Sequence, residues 1–312
     1  MTQVLTFTPN PCIDKIVSVP VLIADKKLYC SVLMRQPGGG GINVARVIRR
    51  LGASVKALFP SGGSTGGLLE DLLREEDIQS GVVKVVHSTR ENIMLTETTT
   101  NRQFRLGMPG EALSDEEWRQ CIRMIRDEAD CRYIVISGSL PDQAPSDLML
   151  QIAAIAREKR ARLIVDSSGE TLKAAVKEGA FLLKPNLSEL ASLAGKQELN
   201  ESQAVEEAKK LVDNKCCEIV VVSMDARGAL MVTGQECYHA IPPVVKPKSS
   251  VGAGDSMVGG MVYSLLQGNS LPDVFRMGVA CGTAAIMNPG TTLCEIEDVT
   301  AIFDQVRILP IQ

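Results

Sequence analysis

The sequence predicts an α/β protein: a mainly parallel sheet covered by helices on both faces, with a smaller sheet set into it. Three observations carry this. From Ser114 onward, short apolar stretches alternate with amphipathic ones. The stretches 16–36 and 82–108 are rich in strand-type residues and carry no helical period. The predicted strands also end in polar residues, Asn10, Ser139, Asp166, Asn186 and Ser223, at the carboxyl ends where open α/β sheets bind ligands.

Taken in order, Val4 to Thr8 alternates as a strand that stops at Pro9-Asn10-Pro11, with Asp14 just beyond. Asp14 fits a solvated turn aspartate, the commoner case, and also a substrate contact. Gly38-Gly39-Gly40-Gly41 opens a helix whose apolar face is Val44, Ala45, Ile48 and Leu51, ended by Gly52. A flexible linker rarely runs straight into so well patterned a helix. Close approach of a ligand to the backbone is the preferred explanation, with Asn43 placed to bond sugar hydroxyls. A strand over Val55 to Phe59 and a helix over Gly66 to Glu76 follow. Val82 to His87, Asn92 to Thr98 and Gln103 to Leu106 alternate as strands and are grouped with 16–36 into the small sheet. Arg90 and Arg105 belong to it, and either stand exposed or present their planar forks to a phosphate.

Beyond Ser114, whose spacing to Glu117 forms a capping box, strands are expected at Tyr133 to Ile136, Leu163 to Val165, Phe181 to Leu183 and Ile219 to Val222. Asn186 and Glu189 share a face of the helix after Lys184-Pro185. That spacing suits a capping box and equally a magnesium ion held directly or through water; both can hold together.

The 312 residues are ample for one large α/β body, and a net charge of -4 argues against a dedicated nucleic-acid protein. No apolar run is long enough for a membrane span, and Met1 to Lys15 lacks signal-peptide order, so a cytoplasmic, membrane-free protein is expected. Nine scattered cysteines without a C-x-x-C pair read as reduced thiols, and His87 and His239 as structural.

The densest chemistry lies in Lys248 to Leu266, KSSVGAGDSMVGGMVYSLL. Gly252 and Gly254 allow a tight turn and close approach, and the helix beginning there offers unpaired N–H groups at its positive end, an anion site. A carboxylate beside an anion site needs a role. Asp255 is either a helix cap or the base that takes a proton from an attacking hydroxyl during phosphoryl transfer. The segment is neither a Walker A sequence nor G-x-G-x-x-G, which disfavours a nicotinamide enzyme.

PGGGGINVAR (37–46), SGSLP (137–141), DSSGE (166–170), KPNLSE (184–189) and VGAGD (251–255) together resemble the ribokinase-like, or PfkB, sugar-kinase family, in order and over nearly the whole chain. The resemblance implies a ribokinase-like three-layer α/β/α sandwich with a mainly parallel sheet plus a small β-sheet lid. It also implies a single kinase domain over 1–312, with lid strands inserted at about 16–36 and 82–108, a homodimer formed through the lid sheets, and ATP with Mg2+. Position by position, it makes Asp255 the base and Gly252, Ala253 and Gly254 the anion hole. Asp14, Gly39, Asn43 and Ser139 become sugar contacts, and Arg90 and Arg105 partners of the phosphate already on the sugar. Lys27 resembles a position that reaches the neighbouring subunit. Lys184, Asn186, Ser223 and Gly228 resemble nucleotide contacts, and Asn186 and Glu189 the magnesium motif.

Because the glycine run lacks a lysine, the resemblance favours phosphorylation of fructose 6-phosphate to fructose 1,6-bisphosphate, with tagatose 6-phosphate or fructose 1-phosphate as runner-up substrates. A sugar-phosphate sensor without turnover is the alternative outside enzymes. Two departures stand out: Asp225 replaces a usual glycine, and Ser249-Ser250 replaces a usual Asp-Thr.

Overall fold

The computed structural model describes residues 3–128 and 131–311. The chain opens with β1 (Val4–Phe7) and crosses into β2 (Cys12–Val19) and β3 (Ser31–Gly38). It returns through α1 (Gly40–Arg50), β4 (Val55–Ser61), α2 (Gly63–Glu75) and β5 (Gln79–Lys84), then leaves again as the hairpin β6 (Arg90–Glu97) and β7 (Arg102–Leu106). Regular alternation follows: α3 (Asp115–Asp127), β8 (Tyr133–Ser137), α4 (Leu148–Lys159), β9 (Arg162–Asp166), α5 (Gly169–Glu178), β10 (Ala180–Leu183), α6 (Leu187–Leu193), α7 (Glu201–Asp213) and β11 (Cys217–Ser223). After β12 (Ala229–Thr233) and β13 (Cys237–Ile241) come α8 (Ala253–Leu266), α9 (Leu271–Ile286), α10 (Ile296–Phe303) and β14 (Arg307–Pro310).

The large sheet has ten strands in the order β14-β13-β12-β11-β10-β9-β8-β1-β4-β5. From β11 to β5 it is parallel, and β12, β13 and β14 add an antiparallel edge. Alternation along each strand sends side chains to opposite faces. On β8, Tyr133 and Val135 pack among α1, α2, α8, α9 and α10, whereas Ile134 and Ile136 pack among α3 to α7. This is the expected three-layer α/β/α arrangement, and burial on both faces explains the near-continuous apolar strands. No helix among the described residues is long and apolar enough to cross a membrane.

The second sheet has four strands, β3-β2-β6-β7. Its inner face is held by Val17, Val19 and Leu95 with Ile93 and Phe104. The composition of this sheet corrects the sequence expectation in one respect. The strand expected at Val82 to His87 does not join it. Its first part, Val82 to Lys84, completes β5, which pairs in parallel with β4 at the edge of the large sheet. The physical reason is the short crossover through α2, which returns the chain beside β4. An edge strand alternates buried and exposed residues just as a strand of the small sheet does. Asp14 is likewise not a turn residue; it lies inside β2, paired in register with Gln36 and Asn92.

Candidate active site

Asp255 sits in the first turn of α8. Gly252 ends the preceding turn with φ of 74°, a left-handed conformation that disfavours a side chain. A Cβ there would also lie 2.4 Å from Leu293 Cδ2. No side chain caps this helix start, so its first N–H groups point into the cleft at the positive end of the dipole. α8 is held against α1 by close backbone approach. A Cβ on Gly259 would come 2.7 Å from Val47 Cβ and 3.2 Å from the Val44 carbonyl. That contact brings together two side chains 212 positions apart: Asn43 Nδ2 donates to Asp255 Oδ2 at 2.9 Å.

The second carboxylate oxygen is also held, by the hydroxyl of Ser137, which donates to Oδ1 at 3.2 Å. Burial pushes the Asp255 carboxyl up to about 6, and the nearby Asp166 charge adds to the rise. Asn43, Lys184 and Ser137 act the other way. Lys184 is 5% exposed and pairs with Asp166 at 3.0 Å. Burial works against its charge, but the carboxylates of Asp166, Asp255 and Glu189 together raise its pKa above the ordinary value. A Cβ on Gly254 would lie 3.2 Å from Lys184 Nζ, so a buried cation stands beside the anion-binding turn.

Packing within the protein also demands glycine in this run. A Cβ on Gly40 would fall 2.2 Å from Ser137 Oγ and 2.7 Å from the Gly138 nitrogen, and one on Gly39 would fall 2.6 Å from Thr8 Cγ2. Protein atoms already crowd these positions, because the start of α1 packs against the ends of β1 and β8. Asn43 is similarly committed through its amide nitrogen to Asp255, while its Oδ1 is buried without a partner. That oxygen is a buried acceptor without a partner in the protein.

From the small sheet, Asp14 accepts from Asn92 Nδ2 at 3.0 Å and from the Cys12 thiol at 3.4 Å. Arg90 donates to the carbonyls of Met108 and Asn10 at 2.7 and 2.9 Å, and its buried Nε has no partner. Arg105 donates to Ser250 Oγ at 2.7 Å, and Gln103 to the Lys248 carbonyl at 3.0 Å, so β7 is tied to the approach to the anion turn. Ser139 is a weak neighbour, its Oγ lying 3.5 Å from Asn10 Nδ2. Lys27 is not among these side chains. It is exposed in the β2–β3 connection with its ammonium 5.0 Å over the Tyr29 ring.

On the other side, Asn186 and Glu189 form the capping box in full: Asn186 Oδ1 accepts from the Glu189 N–H at 2.9 Å, and Glu189 Oε2 accepts from the Asn186 N–H at 2.8 Å. Burial raises the Glu189 carboxyl above its usual range. A cavity of about 330 Å³ lies against both residues. Ser223 ends β11 beside them, its N–H bonded to the Pro185 carbonyl at 3.1 Å. Gly228 has φ of 87° and leaves no room for a Cβ, which would sit 1.9 Å from the Ala240 carbonyl. Asp225 takes φ of 52°, which accounts for a usual glycine at this place and for Asp as a tolerated replacement.

The uncapped, glycine-led helix start and buried Lys184 fit phosphates, and Glu189 with Asn186 fits a magnesium ion that keeps most of its water. Among the described residues, no group of three or more His, Cys, Asp or Glu could hold a metal alone. A larger groove of about 1090 Å³ lies at the opposite, amino-terminal end of the strands. Its Arg132 and Arg157 are spent on the carbonyls of Leu266 and Glu178 at helix carboxyl ends, so the chemistry belongs with Asp255.

A carboxylate at an uncapped helix start, a buried lysine beside it and arginines on a small facing sheet define a phosphoryl-transferring enzyme with a polar, hydroxyl-bearing acceptor. Residues 8–298 match the profile of the pfkB family carbohydrate kinases. The ATP-dependent 6-phosphofructokinase isozyme 2 of Escherichia coli (strain K12) is 39% identical over 97% of this chain and 98% of its own. The 1-phosphofructokinase of Bacillus subtilis (strain 168) is 35% identical over 90% of this chain and 92% of its own. The crystal structure of phosphofructokinase-2 from Escherichia coli in complex with fructose-6-phosphate superposes with a TM-score of 0.91 at 38% identity, covering 98% of this chain and 99% of that one. The chain belongs to the pfkB family of carbohydrate kinases.

Proposed function

We propose that this protein phosphorylates the primary hydroxyl of fructose 6-phosphate, using ATP and Mg2+, to give fructose 1,6-bisphosphate. The observation that carries the reading is the Asp255 carboxylate, fixed through both oxygens by Asn43 and Ser137 at the open start of α8. Asp255 accepts the proton of the attacking hydroxyl, and the N–H groups at Gly252, Ala253 and Gly254 receive the charge that develops beside it. Asp14, Gly39, Asn43 and Ser139 orient the sugar; Arg90 and Arg105 hold its phosphate. Lys184, Asn186, Ser223 and Gly228 hold the nucleotide, with Asn186 and Glu189 toward the metal. MgATP, when bound, supplies the phosphoryl group and neutralises part of its charge. The small sheet acts as a lid that excludes water from the acceptor.

The test is ADP release with fructose 6-phosphate, tagatose 6-phosphate and fructose 1-phosphate compared by kcat/KM. Preference for fructose 6-phosphate of about tenfold or more is expected, since a misplaced phosphate leaves charged donors unpaired. A different winner replaces the substrate, and binding without turnover replaces the enzyme by a sensor.

The lid also explains an exposed apolar face. Val32, Leu33 and Met34 on β3 are 49, 61 and 41% exposed, a run of large apolar side chains suited to self-association. A homodimer that covers it also offers a place for Lys27, at the neighbour's site. Leu33→Asp is expected to weaken self-association by about 10- to 100-fold in sedimentation experiments. An unchanged association constant would place the interface elsewhere.

A further inference from the structure

Asp255 is held from two sides, and the two sides are not alike. Asn43 Nδ2 donates to Oδ2 at 2.9 Å from α1, but the same side chain also carries the free Oδ1 offered to a substrate hydroxyl. Ser137 has only the one task. It is the last residue of β8, level with Asp166 of β9 in the parallel register, and is 1% exposed. Its Oγ lies where a Cβ on Gly40 would come within 2.2 Å, and Gly138, with φ of 105°, turns the chain away immediately afterward. The hydroxyl is therefore confined by α1 behind it and directed at Asp255 Oδ1.

We propose that Ser137 is a positioning residue for the reaction: its hydroxyl fixes Oδ1 of Asp255 and favours the carboxylate over the neutral acid, while Asn43 holds Oδ2. The proposal rests on Asp255 being the base. Its electrostatic setting explains why a donor is needed there. The charged and titratable groups facing Asp255 are Asp166 at the end of β9, Lys184 after β10 and Cys12 on β2. Lys184 is shared with Asp166 at 3.0 Å, so its charge is not devoted to Asp255. Burial and the Asp166 charge both favour the protonated carboxyl, which cannot take a proton from a hydroxyl. A neutral donor at Oδ1 favours the anion without adding a positive charge that would weaken the base.

The experiment compares the wild type with Ser137→Ala and with Ser167→Ala, whose hydroxyl donates to the Gly138 carbonyl at 2.8 Å and does not touch Asp255. Two readouts are taken. One is the acid limb of kcat/KM for fructose 6-phosphate. The other is an infrared titration of the ligand-free protein, following the protonated-carboxyl band that Asp255→Asn lacks. Because the substrate phosphate titrates in the same range, differences between variants are read rather than absolute positions.

Ser137→Ala is expected to move both the limb and the band midpoint to higher pH by about one to two units, as loss of a donor to a charged acceptor implies. The plateau above the limb should stay within about threefold of wild type, because Asn43 still holds the ionised carboxylate through Oδ2. Ser167→Ala should leave both positions unchanged. A limb and a band within about 0.2 unit of wild type in Ser137→Ala, or a rate lowered by one factor at every pH, would overturn the proposal. A band that moves while the rate profile stays put supports the coupling of Ser137 to Asp255 and refutes Asp255 as the base.

Discussion

Asp255→Asn is expected to lower kcat by about 10²- to 10⁴-fold, the range of a lost general base, with fructose 6-phosphate and nucleotide binding within about threefold of wild type. The amide keeps the shape and can still accept from Asn43, so geometry survives while proton acceptance does not. Coupled ADP release and calorimetric titration separate the two quantities, and a variant that keeps its turnover would remove the base from the mechanism. In the wild type the same assignment makes the rate rise with pH through about 6, because the carboxylate must lose its proton before it can accept one.

The variant should also be more stable at neutral pH. Folding raises the Asp255 pKa from 3.8 to about 6, so the native state disfavours the charged form. The penalty is absent below the unfolded value, grows as pH rises between the two values, and is complete above the folded one. It amounts to at most about 3 kcal/mol at about 1.4 kcal/mol per unit. Asparagine carries no such charge. Its melting temperature should exceed that of the wild type by a few degrees at about pH 8, and the difference should vanish near about pH 4. Loss of activity with a gain in stability is the signature of a group held against its own preference. Loss of both would indicate a structural role for the aspartate.

Local chemistry was legible in the sequence, and distant partners were not. The turn at Gly252 and the capping boxes at Ser114–Glu117 and Asn186–Glu189 each depend on residues within a few positions, and all are present. The alternation after Ser114 also carried the three-layer architecture. Asp14 had the surroundings of a turn, yet pairing with β3 and β6 draws it into a strand. Val82 to His87 had the pattern of the small sheet, yet the α2 crossover places its first part on the large one. Ser137 and Ser139 both stand in the SGSLP segment, and the resemblance points to Ser139 alone. Only the spatial meeting of β8, α1 and α8 tells the two serines apart. Asp166 was visible as a strand end, but its charge beside Asp255 and its pairing with Lys184 follow only from the spatial register of β8, β9 and β10. The antiparallel strands β12 and β13 left no comparable signal, since no α-helix separates them from each other or from β11.

Arg90→Ala is expected to raise KM for fructose 6-phosphate by about 10- to 100-fold, the equivalent of a charge-assisted bond of about 1.5 to 3 kcal/mol. Its Nη groups are already used on the Met108 and Asn10 carbonyls, whereas its Nε is buried and unpartnered. A phosphate oxygen reaching that Nε would satisfy a donor whose burial otherwise costs free energy, so binding gains twice. Arg105 differs: it is exposed, so its remaining donors are satisfied by water before a phosphate binds, and Arg105→Ala should cost less than Arg90→Ala. Arg90→Lys should rescue poorly, because one ammonium cannot span Met108, Asn10 and a phosphate together. Steady-state kinetics with a melting curve for each variant decide the matter. KM raised with kcat intact means that the phosphate is gripped equally in ground and transition states. A fall in kcat instead would mean that this binding energy is spent in closing the small sheet over the acceptor, and an unaltered kcat/KM would move the phosphate site away from Arg90.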